Sequence, residues 1–224
     1  IFGHKCILSR TGYSGERGYE IFAASDVIDD IWDNIVGQGK DLGFIPCSFT
    51  SLDKVRVEAT LLFYGYDMTT EHTPWEVGLG WTINRNKNDF RGKEAVFASE
   101  GKERFKMVGL EIDHNDALAG GEKLKKGNEE VGVVNSPVWS HRMNKSLALA
   151  HIRPDLIEPG TEINVSSDNI NCSASVQQGN LIFRIDPNNF NVTIDNNKGL
   201  KPNSIVYATK EGIKEKKFNT NQKV

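Results

Sequence analysis

The chain has 224 residues with a formal net charge of -3, long enough to bury a substantial core in one large domain or two small ones. A pI near 6.0 leaves no basic footprint for nucleic acid, and no apolar run approaches the ~20 residues of a membrane span. Cys6, Cys47 and Cys172 stand far apart without a CxxC or Cys/His spacing, which predicts reduced cytosolic thiols and excludes both a disulfide framework and a zinc site.

No signal peptide is visible, so the Asn191-Val192-Thr193 sequon reads as a chance match. The chain opens at Ile1, a few residues before a strand-like run. It therefore reads as a fragment or processed product, with further residues of any active site expected upstream.

Residues 10–21 read RTGYSGERGYEI. Gly12, Gly15 and Gly18 supply backbone freedom for a hairpin between a strand near 5–11 and a second near 18–23. Alternation on the second strand puts Tyr19, Ile21 and Ala23 on one face and Glu20, Phe22 and Ala24 on the other. Glu20, set between apolar neighbours, must either face water or find a cationic or donor-rich partner. Asp26 is placed to cap a helix whose apolar positions Val27, Ile28, Ile31, Trp32, Ile35 and Val36 follow helical spacing, ending at Gly37 and Gly39. A short strand-like connection through 42–46 leads to Ser48, the expected cap of a second helix through about Ala59.

Beyond it lie LLFYGYD, TPWEVGLGWTI and DFRGKEAVFASEG, the last a short helix. In TPWEVGLGWTI, Trp75 and Trp81 are expected as core anchors, Gly78 and Gly80 permit close backbone approach, and Glu76 would need a partner if buried. From residue 105 the texture changes to short alternating runs ending near Gln177, which predicts a small β-barrel or sandwich. In the Asn- and Lys-rich tail, FRIDP, NVTI and SIVYAT read as short strands and EGIKEKKFNTNQKV as disordered. His4, His72, His114, His141 and His151 are scattered, and none sits in a triad order.

RTGYSGERGYEI, VRVEATLLFYGYD, TPWEVGLGWTI and DFRGKEA, taken together, resemble the aminomethyltransferase family, the T protein of the glycine cleavage system. VGVVNSPVWSHRMNKSLALAHIRPDLIEPGTEINV resembles its C-terminal domain. The resemblance spans roughly residues 7–177. It implies an α+β fold: residues 1–104 as part of a folate-binding domain, an antiparallel sheet with helices; residues 105–178 as a C-terminal β-barrel; and 179–224 as a partly disordered tail. It implies tetrahydrofolate as cofactor, a one-carbon donor that is a small molecule or a carrier protein bearing it, and a cytoplasmic setting. Dimethylglycine and sarcosine dehydrogenases and dimethylsulfoniopropionate demethylases are similar, so fold alone does not choose the donor. A non-catalytic binding or structural module of the same fold is the alternative.

By the family motif, Glu20 matches the glutamate that holds the pterin, whose 2-amino group and adjacent ring N–H suit one ionised carboxylate. Tyr13 would stack in the same site or serve as an ordinary hairpin aromatic; Glu16 is a second-choice carboxylate. Arg56 reads as a clamp between helix and strand, with a cofactor-side cation as the alternative. Arg56 and Glu58 lie too close along the helix to face each other. Tyr64 and Tyr66 would pack around the folate entrance or serve as core and rim aromatics. T proteins carry an arginine where this chain has Leu52, and leucine cannot make its hydrogen bonds. The aspartate that assists transfer comes from the family's N-terminal half and has no match here, leaving the catalytic residues unknown.

Overall fold

The computed structural model describes residues 1–177 and, as backbone alone, 204–209 and 212–217. The chain divides into two compact units, Ile1–Gln177 and Gln178–Val224.

The first unit starts with the expected hairpin, shorter than its sequence pattern: β1 (Cys6–Ser9) runs antiparallel to β2 (Glu20–Ala23), with Ile7 opposite Phe22 and Ser9 opposite Glu20. Of the three turn glycines only Gly15 needs a left-handed backbone, at φ 71°. Helix α1 (Ile28–Gly39) buries Ile31 to 1% exposure. Asp26 is not its cap. Val27 holds that position without a side-chain bond, and a turn from the Val27 N–H to the Ala24 carbonyl, 3.2 Å, starts the helix instead. Gly37 and Gly39 stay helical; a single 3-10 turn follows, and Gly43 at φ 79° ends it, the residue type that tolerates this conformation without a Cβ clash.

The connection through 42–46 forms no strand, and Leu42, Phe44 and Ile45 are exposed. An apolar run becomes a strand only where another strand offers it hydrogen bonds, and none pairs with it among the described residues. Helix α2 (Phe49–Glu58) is capped as expected, the Ser51 N–H donating to Ser48 Oγ at 3.2 Å. Trp75 is a core anchor, its indole N–H donating to the Val96 carbonyl at 2.8 Å in α3 (Lys93–Ala98). Trp81 is not: it is 78% exposed on a 3-10 turn, where the chain turns its side chain away from the core.

The alternating texture after residue 105 forms a closed six-stranded antiparallel barrel. Its strands are β3 (Lys106–Ile112), β4 (Lys123–Lys126), β5 (Glu129–Ser140), β6 (Lys145–Ile152), β7 (Glu162–Ser166) and β8 (Asn171–Gln177), in the order β3-β6-β5-β4-β7-β8. Val108, Leu110, Leu124, Val134, Ile152, Val165 and Val176 fill it, each at most 3% exposed. Closure removes sheet edges and satisfies every ladder. Between Val134 and Ser136 the register against β6 slips, and the extra residue, Asn135, points out of the barrel wall. In the second unit β9 (Ser204–Thr209) pairs with β10 (Gly212–Lys217). SIVYAT is thus a strand, while β10 arises inside a stretch whose composition predicts disorder; its backbone pairing with β9 is a contact that composition does not encode. FRIDP and NVTI lie outside the described residues.

Gly80 lets the Trp75 ring lie flat on the backbone, since a Cβ there would come within 2.3 Å of the ring. The indole is pinned by its bond to Val96 and cannot yield, so Gly80→Ala should cost about 1–3 kcal/mol in urea unfolding. An unchanged midpoint would contradict this packing.

Candidate functional site

Glu20 sits on an exposed face of the hairpin. Pairing of Ser9 with Glu20 and of Ile7 with Phe22 puts these four side chains on one side of the sheet. Ile7 and Phe22 are 69% and 56% exposed. Thr11 Oγ1 lies 2.9 Å from Ser9 Oγ and donates a short hydrogen bond to Glu20 Oε2. Glu20 Oε1 takes no protein hydrogen bond among the described residues. The carboxylate is thus held by one oxygen and offers the other beside an apolar floor. That arrangement fits a flat heteroaromatic ring with N–H donors at its edge.

Tyr13 leaves the glycine-rich turn and is half-buried. Its hydroxyl donates to the Leu62 carbonyl in a short hydrogen bond and lies 3.4 Å from the Leu61 carbonyl, and burial raises its pKa. The Leu61 carbonyl also accepts from Arg56 Nη1 at 3.2 Å. Tyr13 and Arg56 therefore converge on the same short loop, and Tyr64, 62% exposed, follows it. No hydrogen bond joins Glu20 to Tyr13, Arg56 or Tyr64. Glu16 pairs with Arg142 at 3.0 Å and is engaged by the barrel's β5–β6 turn.

Arg56 takes the clamp position. Only 2% exposed, it donates from Nε to Asp53 at 2.8 Å, from Nη1 to Asp67 Oδ2 at 2.5 Å, and from Nη2 to Ser136 Oγ in β5 at 2.9 Å. Ser136 Oγ in turn donates to Asp67 Oδ1 at 2.7 Å, and the Phe63 N–H donates to Asp67 Oδ2 at 2.8 Å. His151 Nε2 on β6 donates to the Asp67 carbonyl at 2.8 Å. Asn135 bridges the same seam, with Nδ2 on the Tyr66 carbonyl at 3.1 Å and Oδ1 on the His151 N–H at 2.8 Å. Glu58 does not face Arg56; it accepts from Ser140 Oγ at 2.6 Å. Asp67, Ser136 and His151 carry the network although no local spacing marks them. The only sequence signals are the aspartate closing FYGYD and the Ser-Pro pair of NSPVW.

The His151 ring stacks on Phe105 at 3.9 Å and meets His72 edge-on at 5.2 Å. Burial pushes its pKa down, and the bond to Asp67 opposes this. Glu76, 2% exposed, does have a partner: Arg104 donates to its two oxygens at 2.7 and 3.1 Å, and the Thr73 N–H donates at 2.9 Å. Those Arg104 bonds, against the penalty of burial, hold its pKa at about 2. No helix among the described residues is long and apolar enough to cross a membrane.

Comparison with known proteins places both parts of the chain. The model of the GCVT N-terminal domain matches residues 1–87, and that of the glycine cleavage T-protein C-terminal barrel domain matches residues 106–181. The heme-dependent oxidative N-demethylase gamma subunit of Ectopseudomonas mendocina is 39% identical over 183 residues, 78% of this chain and 48% of that protein. An aminomethyltransferase of Alkaliphilus oremlandii is 38% identical over 167 residues, 74% of this chain and 45% of that protein. The crystal structure of the glycine cleavage system aminomethyltransferase T from Bartonella henselae superposes with a TM-score of 0.71 at 25% identity, covering 76% of this chain and 48% of that one. The chain spans about half the length of the curated relatives it matches.

The Glu76–Arg104 pair makes stability depend on acid. With a folded pKa of about 2 against an ordinary 4.5, its contribution is present above pH 4.5 and lost as pH falls towards 2. Arg104 is 61% exposed, so solvent screening limits the loss to about 1–2 kcal/mol. Urea unfolding between pH 5 and 2.5 should show Glu76→Gln less stable at pH 5 and flatter in its pH dependence. Equal slopes in both proteins would contradict the assignment.

Proposed function

Because the chain belongs to the glycine cleavage T-protein family, we propose that it is part of a protein that passes a one-carbon unit to tetrahydrofolate, with Glu20 holding the pterin. Residues 1–104 would be its share of the folate-binding domain and 105–178 the family's barrel. The observation that carries this reading is Glu20 itself, an exposed carboxylate tethered through one oxygen by Thr11 and flanked by the exposed Ile7 and Phe22. Tetrahydrofolate, when bound, supplies the nucleophilic amine that accepts the one-carbon unit.

The chain's own residues bind and position. Glu20 Oε1 accepts from the edge of the ring, and its charge makes those bonds stronger and more orienting than neutral ones. Ile7 and Phe22 exclude water from beneath the ring, which strengthens the bonds further. Thr11 and Ser9 fix the carboxylate rotamer. Tyr13 and Tyr64 would line the mouth beside the 61–64 loop, and Arg56, with its donors engaged, would hold that loop. Positioning of this kind lowers the barrier of a bimolecular transfer by bringing both reactants into one geometry.

A second reading concerns the donor. The 39% identical relative is the gamma subunit of a heme-dependent oxidative N-demethylase, which favours an N-methyl group as the carbon source over an aminomethyl group on a carrier protein. Leu52 stands where the family resemblance leads one to expect an arginine, and fits that departure from glycine cleavage. Both readings use Glu20 alike.

Titration calorimetry of the full-length protein with tetrahydrofolate should give binding that Glu20→Ala weakens roughly 10–100-fold, the value of a charge-assisted hydrogen-bond pair. Glu16→Ala, which removes a carboxylate engaged by Arg142, should leave the affinity within about twofold. Unchanged affinity in Glu20→Ala would overturn the site.

A further inference from the structure

The chain leaves α2 through one strained residue, Thr60. Its N–H donates to the Val57 carbonyl at 2.9 Å, and the Leu61 N–H donates to the Arg56 carbonyl at 2.8 Å. This paired closure of a helix requires a left-handed residue at position 60, and Thr60 adopts that conformation at φ 48°. A residue with a Cβ disfavours it roughly 5–30-fold against the right-handed one, and a β-branched residue is a genuine outlier there. The turn that follows α1 uses Gly43, at φ 79°, for the same conformation. Among the described residues the further non-glycine cases are Phe2 and Asn144, neither of them β-branched.

Local sequence favours continuing the helix. Ala59, Thr60, Leu61, Leu62 and Phe63 include neither glycine nor proline, and the first glycine comes at Gly65, so a right-handed Thr60 would extend α2. Contacts from elsewhere hold the observed exit. The Thr60 methyl lies over Gly109 of β3, 4.0 Å from where a Cβ would stand there. The Leu61 carbonyl accepts from Arg56 Nη1 at 3.2 Å, and the Phe63 N–H donates to Asp67 Oδ2 at 2.8 Å. The Tyr13 hydroxyl, from the glycine-rich turn, donates to the Leu62 carbonyl and lies 3.4 Å from that of Leu61. In a continued helix both carbonyls would point along the helix axis instead. We propose that Thr60 is a positioning residue for the ligand face: its left-handed turn aims the Leu61 and Leu62 carbonyls at the Tyr13 hydroxyl, and that hydroxyl in return keeps Thr60 out of the helix. The pair forms an element with two arrangements, and strain of this kind persists only where the surroundings over-determine it. Seated, it anchors the turn that leads to Glu20; released, α2 lengthens and the turn loses its anchor.

The ligand side of this inference rests on the folate reading; the backbone side does not. Its test crosses Tyr13→Phe with Thr60→Gly and reads two quantities, the 13Cα resonances of the 224-residue chain and the affinity of the full-length protein for tetrahydrofolate by calorimetry. Tyr13→Phe should move the resonances of Thr60, Leu61 and Leu62 towards helical values. On the Thr60→Gly background the same change should leave those of Leu61 and Leu62 in place, because glycine takes the left-handed turn without a Cβ clash. Tyr13→Phe should weaken tetrahydrofolate binding roughly 3–10-fold in the native chain and by no more than about twofold on the Thr60→Gly background. Unmoved resonances in Tyr13→Phe, or the same loss of affinity on both backgrounds, overturns the proposal. A parent protein that does not bind tetrahydrofolate overturns the folate reading instead, and the resonances then decide whether Thr60 positions the Tyr13 turn.

Discussion

Arg56 and Asp67 form an ion pair from which water is excluded, with Asp67 fully buried and Arg56 2% exposed. Taking two charges out of water costs several kcal/mol each, and their attraction offsets this only if the remaining donors and acceptors are also satisfied. Here nearly all are: Asp53, Ser136 and the Leu61 carbonyl take three further guanidinium donors, and Ser136 and the Phe63 N–H donate to Asp67. A network so fully connected has one low-energy arrangement, because any shift leaves a buried charge unpaired. That arrangement ties α2, the 61–67 loop and barrel strands β5 and β6 to one another.

Everything proposed for the ligand face hangs from this clamp. The loop it holds presents the carbonyls of Leu61 and Leu62, on which the Tyr13 hydroxyl rests. Tyr13 anchors the glycine-rich turn, and that turn leads into β2 and Glu20. A second tie runs from the barrel to the same turn through Arg142 and Glu16. The barrel, edge-free and internally packed, thus acts as a rigid base from which a lightly supported hairpin projects a carboxylate. Rigid support beneath an open face is the arrangement a binding site needs.

The parts of this design legible in the sequence are those written in local chemistry. Alternation and turn glycines mark the β1–β2 hairpin and the face that Glu20 shares with Phe22, though not that this face is exposed; Ser48 marks its helix; repeated short runs mark the barrel; and Trp75 is a recognisable anchor. The Arg56 clamp was half legible, since a lone helix arginine beside an acidic i+2 neighbour had to look elsewhere for its partner. The partner itself was not, because Asp67 and Ser136 lie 11 and 80 positions away and no periodicity links them. Asp26 failed as a cap because the backbone turn at Ala24 began the helix one residue later. Trp81 and the 42–46 run failed for a common reason: both are apolar in composition, yet the described residues offer them neither a core nor a partner strand. Apolar sequence predicts burial against something, and here the something is not in the first unit.

The central claim, that a satisfied buried ion pair organises the seam, is tested most directly by a double-mutant cycle. Arg56→Met, Asp67→Leu and the double variant are compared by urea unfolding with the parent chain. Arg56→Met strands the fully buried Asp67 carboxylate and should lose about 3–5 kcal/mol, and Asp67→Leu, which leaves Arg56 only Asp53 as a counter-ion, should lose less, whereas the double variant, which strands no buried charge, should recover at least about 2 kcal/mol relative to the sum. Additive losses, with a coupling near zero, would mean that Arg56 and Asp67 act independently and that the seam is held by packing alone.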